Sequence, residues 1–285
     1  MALLVVCDLD GTLLHSDARL SSFARDGLNQ LLAGGVAVTV ATARSLQAMQ
    51  AILAGVEIRL PVIGLNGALI SDLFTGRHLA IQAIDASLAR TAIEILDGRQ
   101  ASPVVTSWDG TADHVDYAMR MNPASGWWIA EKRAYGDPRL RASEDLDLVA
   151  TQESVVMITG FVPNPFAARL VGQLRRELTD AAIIHAAPHI YFEGWTEIQI
   201  QHPQADKGNA IPQLVELTGL QSSTVVACGD HINDLGMFAV ADESVAPANA
   251  HSSALAAATV AVASNDNDGV ISWLLDRSGL TRQSA

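Results

Sequence analysis

The stretch Leu3-Leu4-Val5-Val6-Cys7-Asp8-Leu9-Asp10-Gly11-Thr12-Leu13 decides the fold. Its first five residues form an apolar run typical of a buried strand, and the run ends in the carboxylates of Asp8 and Asp10. Alternate side chains of a strand point to the same face, so we expect both carboxylates to be aimed the same way. Two like charges at this spacing need a cation or a shared proton. The pattern suits a nucleophilic Asp beside an acid/base Asp and a hard metal ion; taken alone, the stretch also fits a strand that ends in a solvated turn.

The composition predicts a compact protein that does not bind nucleic acid or anionic membranes. The chain has 285 residues, of which 49% are hydrophobic and 17% charged, and its net charge is −13. Such a chain can bury a core, but it lacks the basic surface that nucleic acid and anionic lipid require. The first apolar run is short and no basic segment precedes it, so we expect neither a signal peptide nor a membrane span. We therefore expect a cytoplasmic protein.

Strands and helices alternate in the first and last parts of the chain. The spacing of apolar residues predicts helices over 21–34, 45–53, 209–217, 235–240 and 269–275, and strands over 36–41, 61–65, 224–228, 244–246 and 259–263. Alternation of this kind predicts an α/β fold with a parallel sheet and right-handed crossovers. Cys7 and Cys228 should lie unpaired on neighbouring core strands. Functional residues of such sheets collect beyond the carboxyl ends of the strands.

The middle of the chain has a different pattern and predicts an inserted α+β domain. Helices are expected over 86–96 and 165–178, and strands over 104–108, 154–161, 182–186 and 190–192. We therefore expect a core formed by residues 1–83 and 194–285 and an insertion over residues 84–193.

Polar side chains follow several of the predicted core strands. They are Asp8, Asp10, Thr42, Arg44, Asn66, Asp230, Asn233 and Asp234, with Lys207 at the start of a helix. Carboxylates alone would indicate a metal site, and basic and hydroxyl groups alone an anion site. Together they indicate a phosphate bridged by a metal ion. Phosphoryl transfer needs an in-line nucleophile and neutralisation of the charge on the phosphate oxygens, and an Asp can be that nucleophile.

Each of these residues then has a possible role. Asp8 would attack phosphorus, Asp10 would protonate the leaving alcohol and then activate water, and Lys207 would tie the nucleophile to the phosphate as a point charge. Thr42 and backbone amides would hold phosphate oxygens. Mg²⁺ would be bound by Asp8, the Asp10 carbonyl and Asp230, with Asp234 completing or orienting this metal site. Taken singly, Lys207 also fits a solvated helix start, Arg44 a surface residue, and Asp234 a helix cap.

These residues resemble the four motifs of the haloacid dehalogenase superfamily, in its phosphatase branch. The motifs are Asp8-Leu9-Asp10-Gly11-Thr12-Leu13, then Thr42, then Lys207 in Ala205-Asp206-Lys207-Gly208, then Gly229-Asp230-His231-Ile232-Asn233-Asp234. The size and position of the insertion resemble the type-two cap of the Cof-like subfamily. Thr42-Ala43-Arg44 is similar to that subfamily's Thr-Gly-Arg, with Ala43 in place of Gly, and Asn66-Gly67-Ala68 to its Asn-Gly-Ala turn.

The resemblance implies a Rossmann-like three-layer core with a cap domain, Mg²⁺ as cofactor, Asp8 as nucleophile and hydrolysis of a small phosphorylated metabolite, with a sugar phosphate as the favoured substrate. It also implies that Thr42, Ala43, Arg44, Asn66, Lys207 and Asn233 contact the substrate or its phosphate. Two alternatives stay open at this point. One is a hexose-phosphate mutase that uses the same nucleophile, and the other is a non-enzymatic sensor of a phosphorylated ligand. No oligomeric state is predicted.

Overall fold

The computed structural model of the chain describes residues 3–189, 191–221 and 223–280. Its strands are β1 (Leu3–Cys7), β2 (Ala37–Val40), β3 (Val62–Gly64), β4 (Leu69–Ser71), β5 (His78–Ile81), β6 (Val104–Trp108), β7 (Asp113–Ala118), β8 (Leu140–Ser143), β9 (Ser154–Pro163), β10 (Ile183–Pro188), β11 (Trp195–Gln201), β12 (Thr224–Cys228), β13 (Glu243–Pro247) and β14 (Val260–Val262). Its helices are α1 (Ser22–Ala33), α2 (Leu46–Ile52), α3 (Ala86–Gly98), α4 (Pro123–Ala134), α5 (Leu146–Gln152), α6 (Asn164–Leu178), α7 (Lys207–Thr218), α8 (Leu235–Val240), α9 (Ser252–Ala257) and α10 (Gly269–Arg277).

The chain divides into two compact units, and the second is inserted into the first. The first unit comprises the chain up to Ala80 and from Gln204 onward, and the second comprises Ile81–Pro203. Among the described residues, no helix is both long enough and apolar enough to cross a lipid bilayer.

The first unit has a five-stranded parallel sheet in the order β14-β13-β12-β1-β2. Val5 and Cys7 of β1 pack on one side with α1, α2 and α10, and Leu4 and Val6 pack on the other side with α7, α8 and α9. A strand covered on both faces is continuously apolar, which explains the run that opens the chain. The predicted three-layer α/β core is confirmed.

Two details of this sheet test the predicted strand order. Cys7 lies opposite Cys228 in the register of β1 and β12, and both thiols are buried and free, as predicted. The predicted strand at 61–65 is shorter and does not join the main sheet as a full strand. β3 pairs antiparallel with β4 and contacts the main sheet through one parallel bridge between Ala41 and Ile63. A turn with left-handed backbone at Asn66 reverses the chain there, and an antiparallel partner follows.

The second unit has a six-stranded sheet in the order β10-β11-β9-β6-β7-β8. Its neighbouring strands are antiparallel except for the parallel pair β7 and β8. Residues of α3, α5 and α6 form the larger apolar cluster with the sheet, while Ile129 of α4 packs with Val104 and Val115 in a smaller one. The predicted α+β insertion is confirmed as a fold.

Two expectations for this part of the chain are corrected. The predicted boundary at 193/194 assigned β11 to the core, but β11 is hydrogen-bonded between β9 and β10 in the second unit. The boundary therefore follows Pro203, and the earlier one follows Ala80 instead of residue 83. The strand expected at 190–192 is wrong for Tyr191 and Phe192, which lie in a bend. Position 190 lies outside the described residues.

Candidate active site

Asp8 begins the site at the carboxyl end of β1. Its backbone N–H donates to the Cys228 carbonyl at 2.8 Å, which continues the ladder between β1 and β12 by one residue. The chain then turns over Leu9–Leu13, and Gly11 has a left-handed φ of +69°. A Cβ on Gly11 would lie 2.2 Å from Asp230 Oδ2. Glycine is therefore required here both for the backbone conformation and for the close approach of Asp230.

Lys207 reaches Asp8 from the first turn of α7. The Asp206 side chain caps this helix by accepting from the N–H groups of Gly208 and Asn209. The Lys207 side chain is 1% exposed, and its Nζ donates to Asp8 Oδ1 at 2.8 Å and to Asp234 Oδ1 at 2.7 Å. A buried ammonium is stable only when it is paired and hydrogen-bonded. The two carboxylates supply both partners, so the structure brings together Asp8 and Lys207, the predicted catalytic pair.

The Asp234 side chain forms hydrogen bonds with the backbone of the fourth motif. This side chain is fully buried, and its Oδ2 accepts from the N–H groups of Asp230 and His231, each at 2.9 Å. Its Oδ1 accepts from Lys207. Both oxygens are thus engaged within the protein, and this arrangement orients the Asp230 loop, the second of the two roles considered for Asp234.

The carboxylates of Asp8, Asp230 and Asp234 form a group that could hold a metal ion, with one oxygen from each lying within 4.8 Å of the others. Burial raises the pKa of Asp8 to about 7, the nearby Lys207 charge opposes this shift, and repulsion by Asp234 adds to it. Burial also raises the pKa of Asp230 to about 6, again with repulsion by Asp234. Lys207 loses solvation by burial, but attraction by Asp8 and Asp234 dominates, so its pKa is raised. The site carries more negative charge than Lys207 alone neutralises.

The donor set fits Mg²⁺. This ion prefers a few oxygen ligands, commonly carboxylates, and keeps several waters. Asp8 and Asp230 offer carboxylate oxygens, and a bound cation would stabilise their ionised forms against the burial that raises both pKa values. Asp8 and Asp230 are therefore the residues that would hold the ion.

Asp10 lies outside the strand, because β1 ends at Cys7 and Asp10 belongs to the following turn. The alternation of strand side chains therefore does not set its direction, contrary to expectation. Its carboxylate instead accepts two hydrogen bonds from Arg44, from Nε to Oδ2 at 2.7 Å and from Nη2 to Oδ1 at 2.6 Å. The Asp10 side chain is 51% exposed, in contrast to the buried Asp8.

The remaining predicted residues lie on two turns of the first unit. Thr42 is fully buried, and its Oγ1 accepts a hydrogen bond from the Arg44 N–H at 3.2 Å. Ala43, between these two residues, is exposed. The Thr42 carbonyl accepts from the Asn66 N–H at 3.0 Å. Asn233 Nδ2 donates to Asn66 Oδ1 at 3.1 Å, which links the second of these turns to the fourth motif.

Two further residues support the site. Thr12 Oγ1 donates to Asp230 Oδ1 at 3.5 Å, and Asn249 Nδ2 donates to the Gly11 carbonyl at 2.8 Å. Thr12 stands inside the first motif, but its partner is 218 positions away. Asn249 follows β13, so its place just beyond a parallel strand is the signal that could have identified it.

An α/β core with carboxylates and a lysine at the ends of its parallel strands, interrupted by an α+β insertion, defines a class of hydrolases. A family model described as haloacid dehalogenase-like hydrolase matches residues 5–274. The chain belongs to this family, as its motifs predicted.

Relatives and solved structures match over nearly the whole chain. A 5-amino-6-(5-phospho-D-ribitylamino)uracil phosphatase of Bacillus subtilis is 25% identical over 284 residues, covering 93% of this chain and 94% of its own. An HMP-PP phosphatase of Serratia proteamaculans is 28% identical over 257 residues, covering 87% and 84%. A haloacid dehalogenase-like hydrolase structure from Bacteroides thetaiotaomicron superposes with a TM-score of 0.78 at 21% identity, covering 97% of this chain and 100% of the other.

Proposed function

We propose that this chain is a Mg²⁺-dependent phosphatase that hydrolyses a small phosphate monoester through an aspartyl-phosphate on Asp8. It is a haloacid dehalogenase-like hydrolase, and its relatives named above are phosphatases, so phosphoric monoester hydrolysis is its activity class. The observation that carries the finer proposal is the buried Asp8 at the end of β1, held by Lys207 and grouped with Asp230.

In the first half-reaction, an Asp8 carboxylate oxygen attacks phosphorus and the bond from phosphorus to the ester oxygen breaks. Asp10 donates a proton to the departing alcohol. Asp8 must be ionised to attack, and the Lys207 ammonium favours that state by lowering the Asp8 pKa against the effect of burial. Bound Mg²⁺ would neutralise charge on the carboxylates and on the phosphate oxygens.

In the second half-reaction, water attacks phosphorus and gives a proton to Asp10, and the bond between phosphorus and Asp8 breaks. Inorganic phosphate is released and the Asp8 carboxylate is restored. Thr42, at the carboxyl end of β2, is proposed to hold a phosphate oxygen. We also propose that Arg44, Asn66 and Asn233 line the substrate side of the site, and that the second unit acts as its cap.

The substrate class is proposed to be a phosphate ester of a sugar or sugar alcohol. The Bacillus subtilis relative is named for a phosphorylated ribityl compound, and the net charge of −13 leaves recognition of an anion to local groups such as Lys207. A panel of sugar phosphates together with 5-amino-6-(5-phospho-D-ribitylamino)uracil, ranked by kcat/KM, tests this assignment.

A trapping experiment tests the chemistry. Wild-type protein given Mg²⁺ and a radiolabelled phosphate ester, then quenched in acid, should retain label that hydroxylamine releases, as an acyl phosphate does. Asp8→Asn should retain none and should show no turnover, while its circular dichroism spectrum is unchanged. Turnover by Asp8→Asn, or full activity of the wild type in a chelator, contradicts the proposal. Isomerised sugar phosphate in place of inorganic phosphate would indicate a mutase.

A further inference from the structure

The pairing of Arg44 with Asp10 differs from the role expected for Arg44. The sequence predicted a contact between Arg44 and the substrate phosphate. In the structure, the guanidinium presents Nε and Nη2 to the two oxygens of one carboxylate. Bidentate pairs of this kind fix the plane and direction of a carboxylate, which a single point charge does not.

The backbone of Arg44 is held on both sides. Its N–H donates to Thr42 Oγ1 at 3.2 Å, and its carbonyl accepts from the Leu65 N–H at 3.1 Å. The guanidinium is therefore presented from a turn that is hydrogen-bonded to the carboxyl ends of β2 and β3. Asp10, by contrast, is on a turn whose next residue, Gly11, has left-handed backbone, and its side chain is half exposed.

Stability does not account for this pair. The two side chains are 29% and 51% exposed, and ion pairs in such surroundings contribute about 0–1 kcal/mol. The pair's main physical effect is therefore orientation: an accessible carboxylate that would otherwise sample several rotamers is held in one.

We propose that Arg44 is a positioning residue, which holds the Asp10 carboxylate in the direction needed for the base in hydrolysis of the aspartyl-phosphate. The inference rests on the function proposed above and assigns a residue to its second half-reaction. In that step the O–H bond of water breaks and its proton passes to Asp10. The water oxygen bonds to phosphorus, and the bond between phosphorus and Asp8 breaks. Arg44 orients the Asp10 carboxylate through two hydrogen bonds, so it is placed to take that proton.

The two possible roles of Arg44 predict different kinetics. If Arg44 positions Asp10 and the leaving group needs no proton, loss of Arg44 slows only the second step, so kcat and KM fall together and kcat/KM is unchanged. If Arg44 binds the substrate phosphate, its loss weakens formation of the first complex and kcat/KM falls. An aryl phosphate separates the cases well, because 4-nitrophenolate leaves without needing a proton from Asp10.

The test is Arg44→Gln assayed on 4-nitrophenyl phosphate in Mg²⁺. We expect kcat to fall roughly tenfold to a hundredfold, which is part of the usual contribution of a general base, and kcat/KM to change by less than about threefold. Stopped-flow traces should then show a burst of 4-nitrophenolate that approaches one equivalent per active site. A fall in kcat/KM that matches the fall in kcat, with no burst, would overturn the inference and return Arg44 to the phosphate.

Two further variants separate positioning from general damage. Arg277→Gln removes another exposed arginine that contacts both oxygens of a carboxylate, that of Glu243, in the same unit, and it should leave both constants unchanged. Adding Arg44→Gln to Asp10→Asn should change kcat less than twofold, because the group to be positioned is already absent. A full Arg44 effect in the Asp10→Asn background would contradict the inference while leaving the proposed phosphatase chemistry intact. A wild type without any phosphatase turnover would overturn both.

Discussion

Replacing Lys207 with methionine tests the electrostatic account of the site. Methionine keeps most of the length and volume of the side chain but removes the ammonium. In the wild type, that ammonium is 1% exposed and donates at 2.8 Å to Asp8 and at 2.7 Å to Asp234. Its removal leaves two buried carboxylates without their cation and close to Asp230.

Two effects set the size of the destabilisation by Lys207→Met. Breaking a buried charge pair by removing one partner costs about 3–5 kcal/mol of unfolding free energy. In addition, the pKa of Asp8, already raised to about 7 by burial, rises further once Lys207 no longer lowers it. Unfolded Asp8 titrates near its ordinary value of 3.8, so the folded variant binds a proton that the unfolded chain releases. Stability therefore falls as pH rises between these two pKa values.

The stability of the wild type also falls as pH rises, but this fall ends near pH 7, at the pKa of Asp8. The stability of Lys207→Met continues to fall above pH 7. Each further pH unit is worth about 1.4 kcal/mol. We therefore expect the destabilisation by Lys207→Met to be larger at pH 8 than at pH 5 by at least about 1 kcal/mol. Urea unfolding in a chelator, followed by far-ultraviolet circular dichroism at both pH values, measures this difference. Phosphatase turnover should be lost at either pH.

Lys132→Met is the matched control. Lys132 lies in the second unit, with its Nζ 4.0 Å from the centroid of the Trp128 ring, and an interaction of this kind contributes about 0.5–1 kcal/mol at an exposed site. The control should retain turnover and lack the extra loss at pH 8. A destabilisation by Lys207→Met below about 1 kcal/mol, or one equal at the two pH values, would refute the reasoning, since neither outcome fits a buried cation between carboxylates.

Three further predictions follow from individual contacts. Gly11→Ala should abolish turnover and lower the free energy of unfolding in urea by about 1–2 kcal/mol, because position 11 has left-handed backbone and the added Cβ would collide with Asp230. Turnover at the wild-type rate would show that the loop can move to accept the Cβ. Asp230→Asn should raise the melting temperature of the metal-free protein at pH 8, where the ionised carboxylate is penalised, and remove the stabilisation by Mg²⁺; an unchanged Mg²⁺ response would exclude Asp230 as a ligand. Asp116→Asn should destabilise the protein by about 1.5–3 kcal/mol and leave KM unchanged, because Asp116 is a fully buried partner of Arg141 in the second unit; a cost below about 1 kcal/mol would mean that Glu153, which also contacts Arg141 at 2.6 Å, is a sufficient partner by itself.

The predicted site residues that the structure brings together share one local signal. Asp8 and Asp230 each follow an apolar run, and parallel strands bring the ends of such runs to one edge of a sheet. Lys207 stands in the first turn of a helix after a good N-cap, Asp206. The positions of these residues depend only on neighbouring residues and on the class of fold, so they can be predicted from the pattern of the sequence.

Other features depend on partners that are distant in sequence. The contacts that favour a loop-orienting role for Asp234 come from the N–H groups and the ammonium that reach its two oxygens. The place of β11 follows from its pairing with β9 and β10, although its own residues resemble a strand of either unit. Helix α4 begins at Pro123 with Asn122 as its cap and is not among the predicted helices. Local periodicity does not predict which distant strands pair or in which direction a side chain points.

Asp8 and Asp10 are two residues apart, yet their surroundings separate their chemistry. Asp8 is 5% exposed and faces a buried ammonium, so water is kept from the oxygen that must attack phosphorus, and a hydroxyl nucleophile does not compete for its place. Asp10 is half exposed and faces an arginine at the surface of the site, so water can reach the carboxylate that is proposed to take its proton. If the two environments were exchanged, the attacking carboxylate would be solvated and the base would be cut off from solvent. The left-handed turn at Gly11 and the end of β1 at Cys7 create this difference, and it supports the proposed roles of Asp8 as nucleophile and Asp10 as base.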